Sequence, residues 1–128
     1  MRVLLDTHAL FWALEGGQRL SSRAIDVIGD AAADLLVSAV SAYEICFKHS
    51  LGKLAEASSL AENFEAEIAS LQVNWLPVLP AHAIRAGKLD LIHRDPLDRL
   101  LVAQAMVESV PVVSNEALFD RYGVERIW

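Results

Sequence analysis

Acidic residues recur at one kind of place in this sequence, the junction where an apolar strand-like run gives way to a helical one. Asp6 ends Val3-Leu4-Leu5, and Glu44 follows Leu35-Leu36-Val37. Asp95 and Asp98 open the long apolar run Leu97 to Val107, and Glu116 follows Val112-Val113. If the strands lie parallel, every such junction falls on one rim of the sheet. Asp6, Glu44, Asp98 and Glu116 then share a pocket, with Asp95 beside them. Two like charges ~4 Å apart repel by about 4 kcal/mol at an effective dielectric near ~20. Carboxylates collected in this way need a cation among them, and hard oxygen donors select Mg2+ or Mn2+ over zinc. A carboxylate-held Mg2+ activates water and stabilises charge on a phosphoryl oxygen. The pattern therefore points to a metal-dependent site for phosphoester chemistry.

Each acid also has a purely structural reading. Acids at helix N-termini gain about 0.3–1 kcal/mol against the macrodipole without any metal. Glu44 is then the N3 partner of Ser41 in a Ser-x-x-Glu capping box, Asp95 an N-cap, and Glu116 a first-turn surface acid. Taken one at a time the acids favour that reading. Taken together, on one rim, they favour the metal site.

The elements that must position them alternate between strand and helix. Residues 2–5 read as a buried strand, and Ala9 to Leu14 as a helix closed by Gly16-Gly17. Ser21 or Ser22 caps a second helix, and Leu35 to Val37 is a second buried strand. Ser41 opens a helix running to about Leu51, and Leu60, Phe64, Ile68 and Leu71 carry the spacing of one amphipathic helix over 58–71. Asn74 to Val78 is a short strand candidate that Pro77 weakens or places at a sheet edge. Helices follow at Ala81–Lys88 and from Asp95-Pro96 to Glu108, the latter apolar nearly all round and expected in the core. Pro111 to Val113 is strand, Asn115 to Phe119 a short helix, and Val124 to Trp128 a last strand. The alternation predicts an α/β fold, a three-layer α/β/α sandwich with a mostly parallel central sheet.

Length and composition agree. The chain has 128 residues, 54% of them hydrophobic and 22% charged, a balance that excludes disorder and fits one domain over 1–128. No apolar stretch approaches the ~20 residues needed to cross a bilayer, so no membrane association is expected. Asp6 interrupts what would be the apolar core of a secretory signal, and the sequence is expected to be mature from its first residue. The single cysteine, Cys46, builds neither a disulfide nor a thiolate cage and fits a reducing cytoplasmic setting. A net charge of −6 excludes a generic polyanion binder. A nucleic-acid substrate would need local basic groups or bound cations.

Four segments in order carry a family resemblance: Val-Leu-Leu-Asp6-Thr-His-Ala-Leu, Ser-Ala-Tyr-Glu44-Ile, Arg94-Asp95-Pro-Leu-Asp98-Arg-Leu-Leu-Val-Ala-Gln-Ala, and Ser114-Asn-Glu116-Ala-Leu-Phe-Asp-Arg-Tyr-Gly-Val. End to end, the chain resembles PIN-domain ribonucleases, and among them the VapC toxins of type II toxin–antitoxin pairs. The resemblance implies endonucleolytic cleavage of RNA with Mg2+ or Mn2+ as cofactor. It implies a cognate VapB-like antitoxin whose C-terminal tail lies across the groove, and a homodimer. The family's first three acids match Asp6, Glu44 and Asp98, which would hold one metal ion. Asp95, one turn earlier, is an N-cap or a further outer-sphere acid. At the fourth position the family pattern of Thr or Ser, any residue, then Asp is here Ser114-Asn115-Glu116. The charge is kept and the carboxylate moves out by one methylene.

Around these acids, Thr7 and Ser114 carry hydroxyls able to orient a carboxylate or water. Arg94, Arg99, His93 and Lys88 lie near the third motif as candidate phosphate contacts, or as solvated charges at a helix start. His8, His49, His82 and His93 lack zinc spacing, and His8 reads as a packing or outer-sphere residue. Cys46 reads as a small core residue, and Trp12, Trp75 and Trp128 as packing or interface residues. Competing readings are a non-catalytic PIN-like module that binds antitoxin or RNA, and a phosphatase on a similar sheet. The phosphatase pattern wants an acid two residues after Asp6, where His8 stands.

Overall fold

A computed structural model describes residues 1–53 and 58–128. Five short strands form the sheet: β1 (Arg2–Leu5), β2 (Asp34–Ser38), β3 (Asn74–Leu76), β4 (Val112–Val113) and β5 (Arg126–Ile127). Every pairing is parallel, in the order β3-β2-β1-β4-β5. Helices α1 (Thr7–Leu14), α2 (Ser22–Ile28), α3 (Ala39–Ser50), α4 (Ser58–Glu62), α5 (Phe64–Ala69), α6 (Pro80–Lys88), α7 (Pro96–Glu108) and α8 (Leu118–Arg121) fill the connections.

The β1 sequence explains the layering. Val3 and Leu5 point into one apolar cluster with Leu10, Phe11, Ile45, Phe64 and Ile68. Leu4 points into the other, with Leu101, Val102 and Phe119. All three strand residues are fully buried, as a parallel sheet covered on both faces requires. The α/β/α sandwich is therefore as the alternation predicts. Pro77 falls just after β3, and β3 is an edge strand. No helix among the described residues is long and apolar enough to cross a membrane.

Five local expectations need correction, the simplest being Cys46, which is exposed on α3 and not a core residue. The helix after β2 opens at Ala39, with Ser38 as N-cap accepting from the Val40 amide, so Ser41 and Glu44 form no capping box. Glu44 instead lies in the second turn, on the buried side. The amphipathic pattern over 58–71 is two helices, α4 and α5, broken at Asn63, whose backbone leaves the helical region (φ −129°, ψ 41°). The helix expected at Asn115–Phe119 begins only at Leu118, because the Ser114 hydroxyl first turns the chain by accepting from the Glu116 amide. Finally, the strand expected from Val124 is confined to Arg126–Ile127.

Sheet order sets the site. From β1 the chain builds outward through β2 to β3, and later returns to the other side of β1 with β4 and β5. The reversal lies between β1 and β4, the position at which open α/β sheets bind ligands beyond their strand ends. The residues leaving those two strands are Asp6 and Ser114.

Candidate functional site

Asp6 is held by its own helix. Its Oδ1 accepts from the Ala9 amide at 2.7 Å, making it the N-cap of α1, and only 4% of the residue is exposed. Burial pushes its carboxyl up to about 6. Hydrogen bonding from Ser114 and Ala9 and the charge of His8 oppose that rise, and Glu116 adds to it. A single amide bond and nearby hydroxyls do not replace lost hydration, so the anion is short of positive charge.

Glu44 approaches from α3. Thr7, buried at the start of α1, donates its hydroxyl to Glu44 Oε1 at 2.9 Å and lies 3.0 Å from Ser41 Oγ. This ties the first helix to the third. The other oxygen, Oε2, accepts from Lys48 Nζ at 2.5 Å, one turn further along the same helix.

Asp98 arrives from the first turn of α7. The Asp95 carboxylate caps that helix, with Oδ1 accepting from the amides of Leu97 and Asp98. Asp95 also lines the cleft, so its capping and cleft positions coexist. Asp98 Oδ2 lies 2.7 Å from His93 Nε2. Burial raises the Asp98 carboxyl, against the His93 hydrogen bond, and the charges of Asp95 and Glu44 raise it further. Glu116 stands at the mouth with its side chain about half exposed, 4.0 Å from His8 Nδ1.

Together these groups line one cleft of about 140 Å3, whose apolar side is Leu101, Leu118 and Phe119. That leaves room for several waters. Asp6, Thr7, Glu44, His93, Asp95, Asp98 and Glu116 all reach it. Ser114, fully buried, does not line it and acts through Asp6 and the Glu116 amide.

The basic residues divide differently from expectation. The Arg99 guanidinium is buried and donates to four backbone carbonyls, those of Ala86, Leu89, Asp90 and His93. It clamps the α6–α7 connection and is turned away from any phosphate. Arg94 and Lys88 are exposed and do not line the cleft. Lys48 does line it, unanticipated, and so does His8, in keeping with its outer-sphere reading. The signal for Lys48 was present: it follows Glu44 by four residues, which stacks the two on one helix face.

Oxygen donors of this kind suit a hard divalent ion. Among the described residues, no three His, Cys, Asp or Glu side chains converge tightly enough to hold a metal as they stand. Lys48 and His93 engage Glu44 and Asp98 directly. The donor chemistry fits Mg2+ or Mn2+, and the buried, undercompensated Asp6 gives such an ion something to neutralise.

A family model described as the PIN domain matches residues 3–125. No curated protein matches the sequence. Among solved structures, the chain superposes on VapBC2 from Rickettsia felis bound to a DNA fragment from their promoter, with TM-score 0.71, 14% identity and 100% of each chain covered. VapBC-1 from nontypeable Haemophilus influenzae gives 0.65 and 16%, covering 98% of this chain and 96% of that one. A toxin–antitoxin complex from Klebsiella pneumoniae gives 0.64 and 15%, covering 90% and 87%. At these identities the likeness is one of fold.

Proposed function

The chain belongs to the PIN-domain family, and from that premise we propose that it is a Mg2+- or Mn2+-dependent endoribonuclease, the VapC-type toxin of a toxin–antitoxin pair. The observation that carries this reading is the convergence of Asp6, Glu44, Asp98 and Glu116 on one cleft at the sheet's switch point. The fold-level likeness to toxin–antitoxin complexes supports the same reading. A VapB-like antitoxin, a homodimeric state and a cytoplasmic setting belong to the proposal.

Asp6, Glu44 and Asp98 would hold the ion, which when bound lowers the pKa of water and stabilises phosphoryl charge. Thr7 fixes the Glu44 carboxylate by hydrogen bonding one of its oxygens. Arg99 holds the carbonyl of His93 and so sets the loop from which His93 reaches Asp98. Lys48 and His93, now on Glu44 and Asp98, are basic side chains of the cleft that could meet a substrate phosphate if those carboxylates held an ion. Glu116, half exposed, keeps a further carboxylate at the mouth of the cleft.

The test is cleavage of total cellular RNA by antitoxin-free protein with Mg2+, with Mn2+ and with EDTA, using Asp6→Asn as control. Discrete, metal-dependent cuts that vanish in the variant are expected. Folded protein that binds Mn2+ and cuts nothing would replace the nuclease with a binding module.

A further inference from the structure

A short ladder of aromatic rings leads out of the acid cleft. His8 lines the cleft, and its side chain is about half exposed. One helical turn along α1, the Trp12 ring stacks beneath it, with centroids 5.4 Å apart and planes 25° from parallel. Trp12 in turn leans on Trp128, with centroids 5.9 Å apart. Both tryptophans pack against the core cluster on their side of the sheet. The outermost ring is thus presented to solvent on a rigid base, beside the carboxylates.

Charge makes this arrangement significant. The cleft is acidic and the chain carries −6, so a polyanion gains little from the overall field. Affinity for a strand must then come partly from contacts indifferent to charge. Stacking of a base on an aromatic ring is such a contact, and only unpaired bases offer a free face. A ring fixed before binding also avoids the entropy of ordering it afterwards.

Resting on the nuclease reading above, we propose that His8, backed by Trp12, is a base-stacking shelf for a nucleotide neighbouring the cleaved phosphate of single-stranded RNA. A second recess of about 160 Å3 continues the path past Trp12, between Glu15, Gln18 and Arg19. Gln18 supplies hydrogen bonds for a base edge there, and Arg19 a cation for the next phosphate.

The test compares wild type, His8→Ala and His8→Phe for binding of a fluorescent, cleavage-resistant phosphorothioate oligoadenylate in Mg2+, at low and high salt. Thermal melting checks that all three are folded. His8→Ala should weaken binding about 10-fold, the loss of roughly one stacked base. The factor should be the same at both salt concentrations, because no phosphate contact is removed. His8→Phe should bind within about twofold of wild type, since it keeps the ring and loses the imidazole nitrogens. Equal binding by His8→Ala, or failure of Phe to restore it, overturns the shelf. If wild type cuts RNA while His8→Ala binds as well as it does, the shelf falls and the nuclease stands. If wild type neither binds nor cuts, both fall together.

Discussion

The two ends of the sheet both carry acids, and they treat them in opposite ways. At the amino ends of the strands, Glu108 and Asp34 both lie within reach of Arg2. Glu108, at the far end of α7, meets His82 Nε2 at 2.9 Å and Arg2 at 3.3 Å, and hydrogen bonding from His82 holds its carboxyl below the ordinary value. Asp34 lies 4.0 Å from Arg2 and accepts from the Asn74 amide. Asp120, which does not line the cleft, is likewise held low by its hydrogen bond from Arg126. At the carboxyl ends, burial pushes Asp6 up to about 6 and raises Asp98. Acids that complete a structure are matched with positive charge during folding. The raised Asp6 and Asp98 lack such a match, as the proposed ligand site would require.

The largest expected effect tests this contrast at its centre. Asp6→Asn should lower RNA cleavage by more than about 100-fold, beyond the range typical of outer-sphere partners of a metal. The fold should survive, because the Asn side-chain oxygen can still cap α1. Stability should respond with a definite sign. A carboxyl with a folded value of about 6 and an unfolded value near 3.8 binds more protons in the folded state between those limits. Metal-free protein therefore loses stability as pH rises from about 4 to about 6, by roughly 3 kcal/mol from this group. Thermal melts of the variant should lack that decline. Equal pH slopes for wild type and variant would show that Asp6 is as well compensated as Glu108.

A change at the other end should do the reverse. His82 is fully buried, accepts from the Leu79 amide through Nδ1 and meets Glu108 through Nε2. His82→Ala leaves a cavity, an unpartnered Leu79 amide and a Glu108 carboxylate that keeps Arg2 but loses its shorter hydrogen bond. A cost of about 2–4 kcal/mol is expected by denaturant unfolding, while Mn2+ affinity by calorimetry stays within about twofold. Loss of metal affinity without loss of stability would break the division between the ends.

How far this division was legible in the sequence depends on how local each signal is. Asp95-Pro96 announces its helix start unaided, because cap and proline act within one turn. The start of α3 did not read correctly, because Ser38 and Ser41 are both competent caps. The choice between them follows from where β2 ends, and that is set by its pairing with β3, Ser38 opposite Leu76. The acids themselves were legible because strand-end residues of a parallel sheet share a rim. The partners of those acids were less so. Arg99 looked like a phosphate contact from its position, but four carbonyls of the α6–α7 connection converge on it, and no sequence pattern marks carbonyls that need a donor. The His8–Trp12 pair had a readable signal, two rings four residues apart on one helix.

Lys48 sharpens the comparison, being a cation placed among the acids that lack one. It pairs with Glu44 at 2.5 Å, yet it is more than a third exposed, so the pair contributes under about 1 kcal/mol to stability. Its larger consequence concerns ions. An ammonium at the Glu44 carboxylate repels a divalent cation seeking the same oxygen. Lys48→Met should therefore leave the melting temperature within about 3 °C and tighten Mn2+ binding several-fold, measured by calorimetry. A weaker Mn2+ affinity would mean that Lys48 holds Glu44 in position for the ion and does not compete with it.

The smallest effect is expected at Glu116, where the sequence departs from the family's Asp. Its side chain is about half exposed, its nearest basic side chain is His8 at 4.0 Å, and it raises Asp6 only as the last of several influences. An exposed glutamate at a cleft mouth has the rotamer freedom to move its carboxylate inward or outward. Glu116→Asp shortens the reach by one methylene and leaves the charge unchanged. If the mouth needs only a mobile acid, RNA cleavage should stay within about threefold of wild type and melting should not move. If cleavage instead falls more than about tenfold at unchanged stability, the longer side chain is part of how this cleft closes on its substrate. The contrast between the two ends of the sheet would then extend to an exposed acid at the cleft mouth.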